Sequence, residues 1–239
     1  VNQNPEKGES FLTEDKKCKP SNGVLTEGRE NRFGYFGEGD HKPLRLEKTG
    51  LLLHSCCGPC STSVIERLAR QYKITVFFYN PNITHREEYL KRKETQIQFI
   101  ESYNLKLPPE DHITFLEGPY DTESFLDAAK GMEEEPEGGK RCTACFWLRL
   151  EKTAETARLT GNDCFATTLA VSPRKNFLLI TRIGQDLALR YGLTYIAEDF
   201  RKKAGYQRSV EMAREYRLYR QRFCGCEYSR RPDPEEPEK

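Results

Sequence analysis

Cys56, Cys57 and Cys60 crowd into one short stretch, His54-Ser55-Cys56-Cys57-Gly58-Pro59-Cys60-Ser61. Cys142 and Cys145 form a second group, and Cys224 and Cys226 a third; of the nine cysteines only Cys18 and Cys164 stand apart. Clustered thiols of this kind serve metal ligation or redox chemistry more readily than a disulfide framework. Four thiolates hold either an iron–sulfur cluster or a tetrahedral zinc ion. Cys56 and Cys57 with Cys142 and Cys145 supply four. Adjacent cysteines close on one small ion with difficulty, whereas a cluster presents separated corners, so adjacency favours iron–sulfur over zinc.

The remaining chemistry-bearing residues leave alternatives open. In Cys224-Gly225-Cys226 the thiols are too close for an unstrained disulfide; a strained one would be labile and redox-active, and the other readings are a zinc half-site or a turn with incidental thiols. Cys60 is a second-metal ligand, a resolving thiol or simply a helix residue. His54 either donates a proton or holds a hydrogen bond beneath the turn. Asp199 ligates iron or relays protons, or else pairs with Arg201 or Lys202. Cys164 reads as a small core residue. Between residues 201 and 222 eight Lys or Arg stand against two Glu, with aromatic residues interleaved. Arg201, Lys202, Lys203, Arg208 and Arg220 suit a phosphate backbone, and Tyr206 and Tyr219 suit base stacking; a solvated amphipathic helix has the same composition. A triphosphate cradle is a weak reading of this turn, because it holds a single glycine, Gly58, and the Pro59 that follows removes an amide donor.

These groups need a scaffold, and the pattern supplies one. Leu51–His54 reads as a strand followed by a helix over Ser61–Tyr72. Further strands are expected at Ile74–Tyr79, Ile113–Leu116, Cys164–Leu169 and Leu193–Ile196. Helices are expected over Thr84–Tyr103, from an Asp121 cap with Ser124 at the third position, over the residues from Cys142 to Leu159, and from Ser172-Pro173. Strands alternating with helices predict an α/β fold, a mostly parallel sheet with helices on both faces, followed by a basic, helical C-terminal segment. In such a fold ligands sit beyond the C-terminal ends of the strands, where His54 to Cys60 fall.

The 239 residues carry a net charge of +1, and 31% are charged. No apolar run approaches the roughly 20 residues of a membrane helix, and Val1–Ser10 has no signal-peptide core, so a cytoplasmic protein with no membrane partner is expected. Residues 1–48, with nine acidic and nine basic residues, read as a polar, partly disordered extension in which Cys18 is an incidental surface thiol. Residues 49–229 read as the metal-binding α/β domain, and residues 230–239 as a disordered tail.

Taken together, Leu-His-Ser-Cys-Cys-Gly-Pro-Cys-Ser (53–61), Tyr-Asn-Pro-Asn-Ile (79–83), Arg-Cys-x-x-Cys-Phe (141–146), Ser-Pro-Arg-Lys (172–175), Arg-Lys-Lys-x-Gly-Tyr-Gln-Arg-Ser (201–209) and Leu-Tyr-Arg-Gln-x-Phe-Cys-Gly-Cys (218–226) resemble the QueH-type epoxyqueuosine reductases. The resemblance implies an oxidoreductase of tRNA queuosine biosynthesis that removes the epoxide oxygen of epoxyqueuosine without cobalamin. It implies a nucleotide-binding-superfamily (HUP-like) fold, a 4Fe–4S cluster with a nearby iron, the anticodon arm of tRNA as partner, and an electron donor it does not name. Carried over, Cys56, Cys57, Cys142 and Cys145 match the cluster ligands, Cys224 and Cys226 the redox-active pair, and Cys60 is the candidate for the nearby iron. From the residues alone, a zinc-stabilised RNA-binding module without catalysis is the competing reading, and an ATP-dependent tRNA thiolase a third.

Overall fold

The computed structural model describes residues 47–230. The expectations for the N-terminal extension, for Cys18 and for the tail lie largely outside those residues. Five strands form one sheet: β1 (Thr49–His54), β2 (Tyr72–Phe78), β3 (Thr114–Glu117), β4 (Cys164–Thr167) and β5 (Thr194–Tyr195). Their spatial order is β3-β2-β1-β4-β5 and every pairing is parallel. Strand order therefore reverses between β1 and β4, where the chain leaves one half of the sheet for the other. A crevice opens at such a point because the connections on either side depart to opposite faces.

β1 shows why the sheet is covered twice. Alternate residues of a strand point to opposite faces, and here both sets are apolar and fully buried. Leu51 and Leu53 pack among α1 (Gly58–Leu68), α2 (Arg86–Asn104) and α6 (Gly205–Glu215), meeting Val64, Ile65, Phe99 and Met212. Leu52 packs on the other face with α4 (Lys140–Leu159) and α5 (Phe177–Tyr191), meeting Phe146, Leu150, Ile183 and Leu187. A shorter helix, α3 (Thr122–Ala129), lies against α4. Asp121 caps α3 as expected, accepting the Ser124 N–H at 3.1 Å. The α/β architecture with helices on both faces is thus present, and α6 with the irregular stretch behind it forms the C-terminal segment.

Several boundaries differ from expectation: α1 ends at Leu68, and Tyr72, expected at its end, opens β2; two others differ for reasons that are local and legible. β4 ends at Thr167 rather than Leu169, because the Thr167 hydroxyl accepts the Leu169 N–H at 3.1 Å and turns the chain into a 3-10 helix over Thr168–Val171. α5 does not begin at Ser172-Pro173. Those residues make a turn in which Lys175 N–H donates to Ser172 O, and Asn176 caps the helix instead, accepting the Leu179 N–H at 3.1 Å. Asn is as good a cap as Ser, and the one further along won. Both differences move residues 168–175 off the sheet and out over its C-terminal edge.

Candidate metal and redox centre

α1 begins immediately beyond the C-terminal end of β1, and this junction carries the thiols. Cys57 is the extended residue before the helix and Pro59 sits in its first turn, where a missing N–H costs nothing. Gly58 permits the close approach of α2: a Cβ there would lie 2.8 Å from Thr95 O. Beneath the turn His54 is fully buried, with Nε2 3.1 Å from Tyr79 O and Nδ1 2.8 Å from Thr167 Oγ1. A carbonyl only accepts, so Nε2 carries the proton and Nδ1 accepts from the threonine. Burial, with the nearby Arg149 charge, lowers the His54 pKa to about 3. His54 ties β1 to β4 across the switch in strand order, and both ring nitrogens are engaged in doing so, as the structural reading expects.

The sulfur atoms of Cys56, Cys57 and Cys60 all lie within 4.8 Å of one another, and those of Cys56 and Cys57 are 3.8 Å apart. Metal–sulfur bonds of about 2.3 Å in tetrahedral geometry give sulfur–sulfur edges of about 3.8 Å. The adjacency of two cysteines is therefore no obstacle to sharing one ion, contrary to the expectation from sequence: Cys57 is extended at φ −174°, and its sulfur folds back beside its neighbour's. The trio ionises unequally. Cys56 is held well below the usual thiol range, chiefly by hydrogen bonds from Cys57 and Cys60. Cys57 is pushed up to about 12 by burial and by its donation to Cys56, and Cys60 is raised by hydrogen bonding to both neighbours. One thiolate supported by two thiols is a set primed to bind a metal and release protons on doing so. The donor set fits a thiophilic metal centre.

The other thiols approach the same place from α4 and from the C-terminal segment. Cys142 and Cys145 lie in the first two turns of α4; Cys142 Sγ accepts the Gly138 N–H at 3.2 Å. Burial pushes the Cys145 thiol up to about 11. Cys145 and the buried Cys226 share a small apolar cluster with Phe125 and Ala129. All seven of these thiols, Cys224 and Cys226 included, are free, so the expected disulfide is not present in this structure.

Two cations, the buried Arg149 and the half-buried Lys175, neither anticipated from sequence, connect the groups. Arg149 is 1% exposed; Nη2 donates to Asn80 Oδ1 at 2.7 Å, Nη1 lies 4.0 Å from Cys145 Sγ, and Nε has no hydrogen-bond partner. Against the cost of its burial, the charges of Cys145, Cys56 and Cys224 all favour its ionised form, so one guanidinium feels a member of each thiol group. Lys175 places Nζ 3.3 Å from Cys224 Sγ. Burial works against a charged Cys224, but Lys175 and Arg149 outweigh it and lower its pKa. A signal for both cations existed: Arg149 is one helical turn beyond Cys145, and Lys175 closes the Ser-Pro-Arg-Lys motif.

The C-terminal segment is pinned over this centre. Arg92 of α2, 1% exposed, donates to Phe223 O and Cys224 O at 3.1 and 3.0 Å. Gln221 Nε2 donates to Cys57 Sγ at 2.9 Å, while its Oε1 is buried without a partner. Gly225 adopts φ +105°, and a Cβ there would lie 2.8 Å from Ile83 Cγ1. We expect Gly225→Ala to loosen the 218–226 segment at a cost of about 1–3 kcal/mol, raising the rate at which Cys224 and Cys226 react with a thiol reagent; unchanged rates would mean the segment tolerates the side chain.

A cleft of about 220 Å³ opens above the thiols, lined by Cys56, Cys60, Cys224, Lys175, Tyr206 and Arg220 among others. The sequence-expected RNA-binding residues divide here. Tyr206 and Arg220 reach the cleft and Lys202 and Lys203 are exposed. Arg201 is engaged with Asp199 through two contacts of 2.8 Å, Arg208 with Glu66 at 2.7 and 2.9 Å, and Tyr219 donates to Glu88 at 2.8 Å. Asp199, with both carboxylate oxygens held by Arg201 and its pKa lowered by that hydrogen bonding, does not line the cleft. No helix among the described residues is long and apolar enough to cross a membrane.

Comparison with known proteins gives one consistent result. Residues 51–232 match the family model described as epoxyqueuosine reductase QueH. Among curated relatives named epoxyqueuosine reductase QueH, that of Staphylococcus epidermidis is 43% identical over 185 residues, covering 77% of this chain and 77% of the relative. That of Streptococcus pyogenes is 43% identical, covering 76% and 71%. That of Thermotoga maritima is 36% identical, covering 75% and 89%.

Proposed function

Since this chain belongs to the epoxyqueuosine reductase QueH family, we propose that it is a cytoplasmic oxidoreductase of queuosine biosynthesis that removes the epoxide oxygen of epoxyqueuosine in the tRNA anticodon arm, without cobalamin. Both carbon–oxygen bonds break, a carbon–carbon double bond forms, and the oxygen leaves as water after taking up two electrons and two protons. The observation that carries this reading is the meeting at one cleft of Cys56 and Cys60, from the turn after β1, with Cys224 of the C-terminal segment, beyond the C-terminal edge of the sheet where strand order reverses; Arg149, which lines the same cleft, also lies 4.0 Å from Cys145 Sγ.

Cys56, Cys57, Cys142 and Cys145 would hold a 4Fe–4S cluster, and Cys60 a nearby iron. When bound, these groups supply single electrons and a Lewis-acidic position for the epoxide oxygen. The chain's own side chains do the rest. Oxidation of Cys224 and Cys226 to a disulfide releases two electrons and two protons, the number the epoxide consumes; an external dithiol or redox protein then restores the thiols. Lys175 carries a proton on Nζ, 3.3 Å from Cys224 Sγ, where it can pass to the departing oxygen. Arg149 offsets negative charge among the thiolates, so that thiolates can exist in a buried place at all. Gln221 and Arg92 keep the C-terminal segment seated over the centre and limit water. Tyr206 offers an exposed ring at the rim for an unstacked base.

The test is metal analysis and absorption of anaerobically purified protein. Iron at four or more per chain with broad absorption near 400 nm is the expected result. Colourless protein containing only zinc would overturn it in favour of an RNA-binding module without redox chemistry.

A further inference from the structure

The charge lining the cleft is almost all of one sign. Arg92, Arg149, Arg174, Lys175, Arg220 and Arg222 line it, against the single carboxylate of Glu137. Three of those six cations are already committed: Arg92 to Glu88 and two carbonyls, Arg149 to Asn80 and Cys145, Lys175 to Cys224. Arg174, Arg220 and Arg222 are different. All three are exposed, and none of their guanidinium groups has a hydrogen-bond or ion-pair partner among the described residues. They come from two walls, Arg174 from the turn after β4 and the other two from the stretch after α6. Along that stretch Arg220 and Arg222 are exposed, while Gln221 between them is half-buried and donates to Cys57 Sγ. Fixing Gln221 inward leaves its two neighbours outside.

Resting on the reading above, we infer that Arg174, Arg220 and Arg222 form the phosphodiester clamp that holds the RNA strand with its modified base over the thiols. An unpaired guanidinium is the group that gains most from a phosphate, because it breaks no ion pair to do so and can donate two parallel hydrogen bonds. By the same reasoning Arg201 and Arg208, each bidentate on a carboxylate within the fold, serve the fold and not the RNA. The clamp thus keeps Arg220 from the set read off the charge run, drops Arg201 and Arg208, and adds Arg174 and Arg222.

The experiment measures binding of a synthetic anticodon stem-loop, with unmodified guanine at the wobble position, to the full-length holoprotein at several salt concentrations. Each phosphate contact to a single strand contributes about 0.7 to the slope of log affinity against log salt. The combined variant R174A/R220A/R222A should therefore lose roughly 2 from that slope. R201A and R208A should keep the parental slope while melting at lower temperature. A triple variant with unchanged affinity and slope, or a slope lost in R201A or R208A instead, would overturn the assignment. The two layers fail separately: a clamp that behaves as expected on a protein that leaves epoxyqueuosine intact refutes the reductase reading, and an active enzyme whose triple variant binds normally refutes only the clamp.

Discussion

Cys57→Ala should abolish both metal retention and turnover, because Cys57 belongs to the proposed ligand set and to the compact trio with Cys56 and Cys60. Two companion variants separate the arrangements that contain it. If the metal centre is a cluster spanning α1 and α4, Cys142→Ala loses most of its iron and Cys60→Ala keeps it apart from any single nearby ion. If the trio alone holds one ion at the 3.8 Å spacing of Cys56 and Cys57, Cys60→Ala is the variant that comes out empty and Cys142→Ala is filled. Iron counted per chain, alongside the absorption spectrum, reads both. The effect should be large because a buried thiolate that loses its metal has no other partner of comparable strength, and structural metal binding reaches about 10–16 kcal/mol in small domains. Full iron content in Cys57→Ala would remove the turn after β1 from the centre.

Lys175→Met should lower the rate of epoxide removal by about 10²–10⁴-fold, the usual contribution of a positioned proton donor, with metal content preserved. A second readout separates chemistry from simple disturbance. Burial raises the Cys224 thiol and Lys175 with Arg149 brings it down, so deleting the ammonium must move the alkylation profile of Cys224 to higher pH. Thiolate present above the folded-state pKa in the parent would then be lost over the window between the old and new values. Lys175→Arg keeps the charge and should restore the alkylation profile while recovering little of the turnover, since the planar guanidinium fork does not place an N–H where the compact ammonium stood. A Lys175→Met enzyme with parental rate would show that the proton comes from elsewhere. Cys224→Ser offers the complementary check: metal retained, turnover lost.

Much of this molecule was legible from residue types and periodicity alone. The alternation of β-branched runs with amphipathic stretches pointed to a covered parallel sheet, because such a sheet buries both sides of a strand like Leu51–Leu53. The clustering of cysteines marked the centre, since thiols in a chain rich in charge have few other reasons to recur in pairs. The Asp121 cap was readable because a cap is a local event, decided by a side chain and amides three residues away. The competition between Ser172 and Asn176 was also local, yet both are good caps and only the path of the chain over the sheet edge chose between them.

What spacing could not decide was which charges are spent and which are free. Arg208 and Arg220 look alike in a basic run, but only the packing of α6 on α1 brings Glu66 to the first and leaves the second bare. Nor could it place a cation among the thiols: Arg149 and Lys175 are separated in the chain from Cys56 and Cys224, and they meet because β1 and β4 are neighbours while the segment after α6 folds back over both. Ionisation at a buried site depends on distances of a few ångströms between groups far apart in sequence, so residue order determined the ingredients of this centre and the fold alone determined their charge.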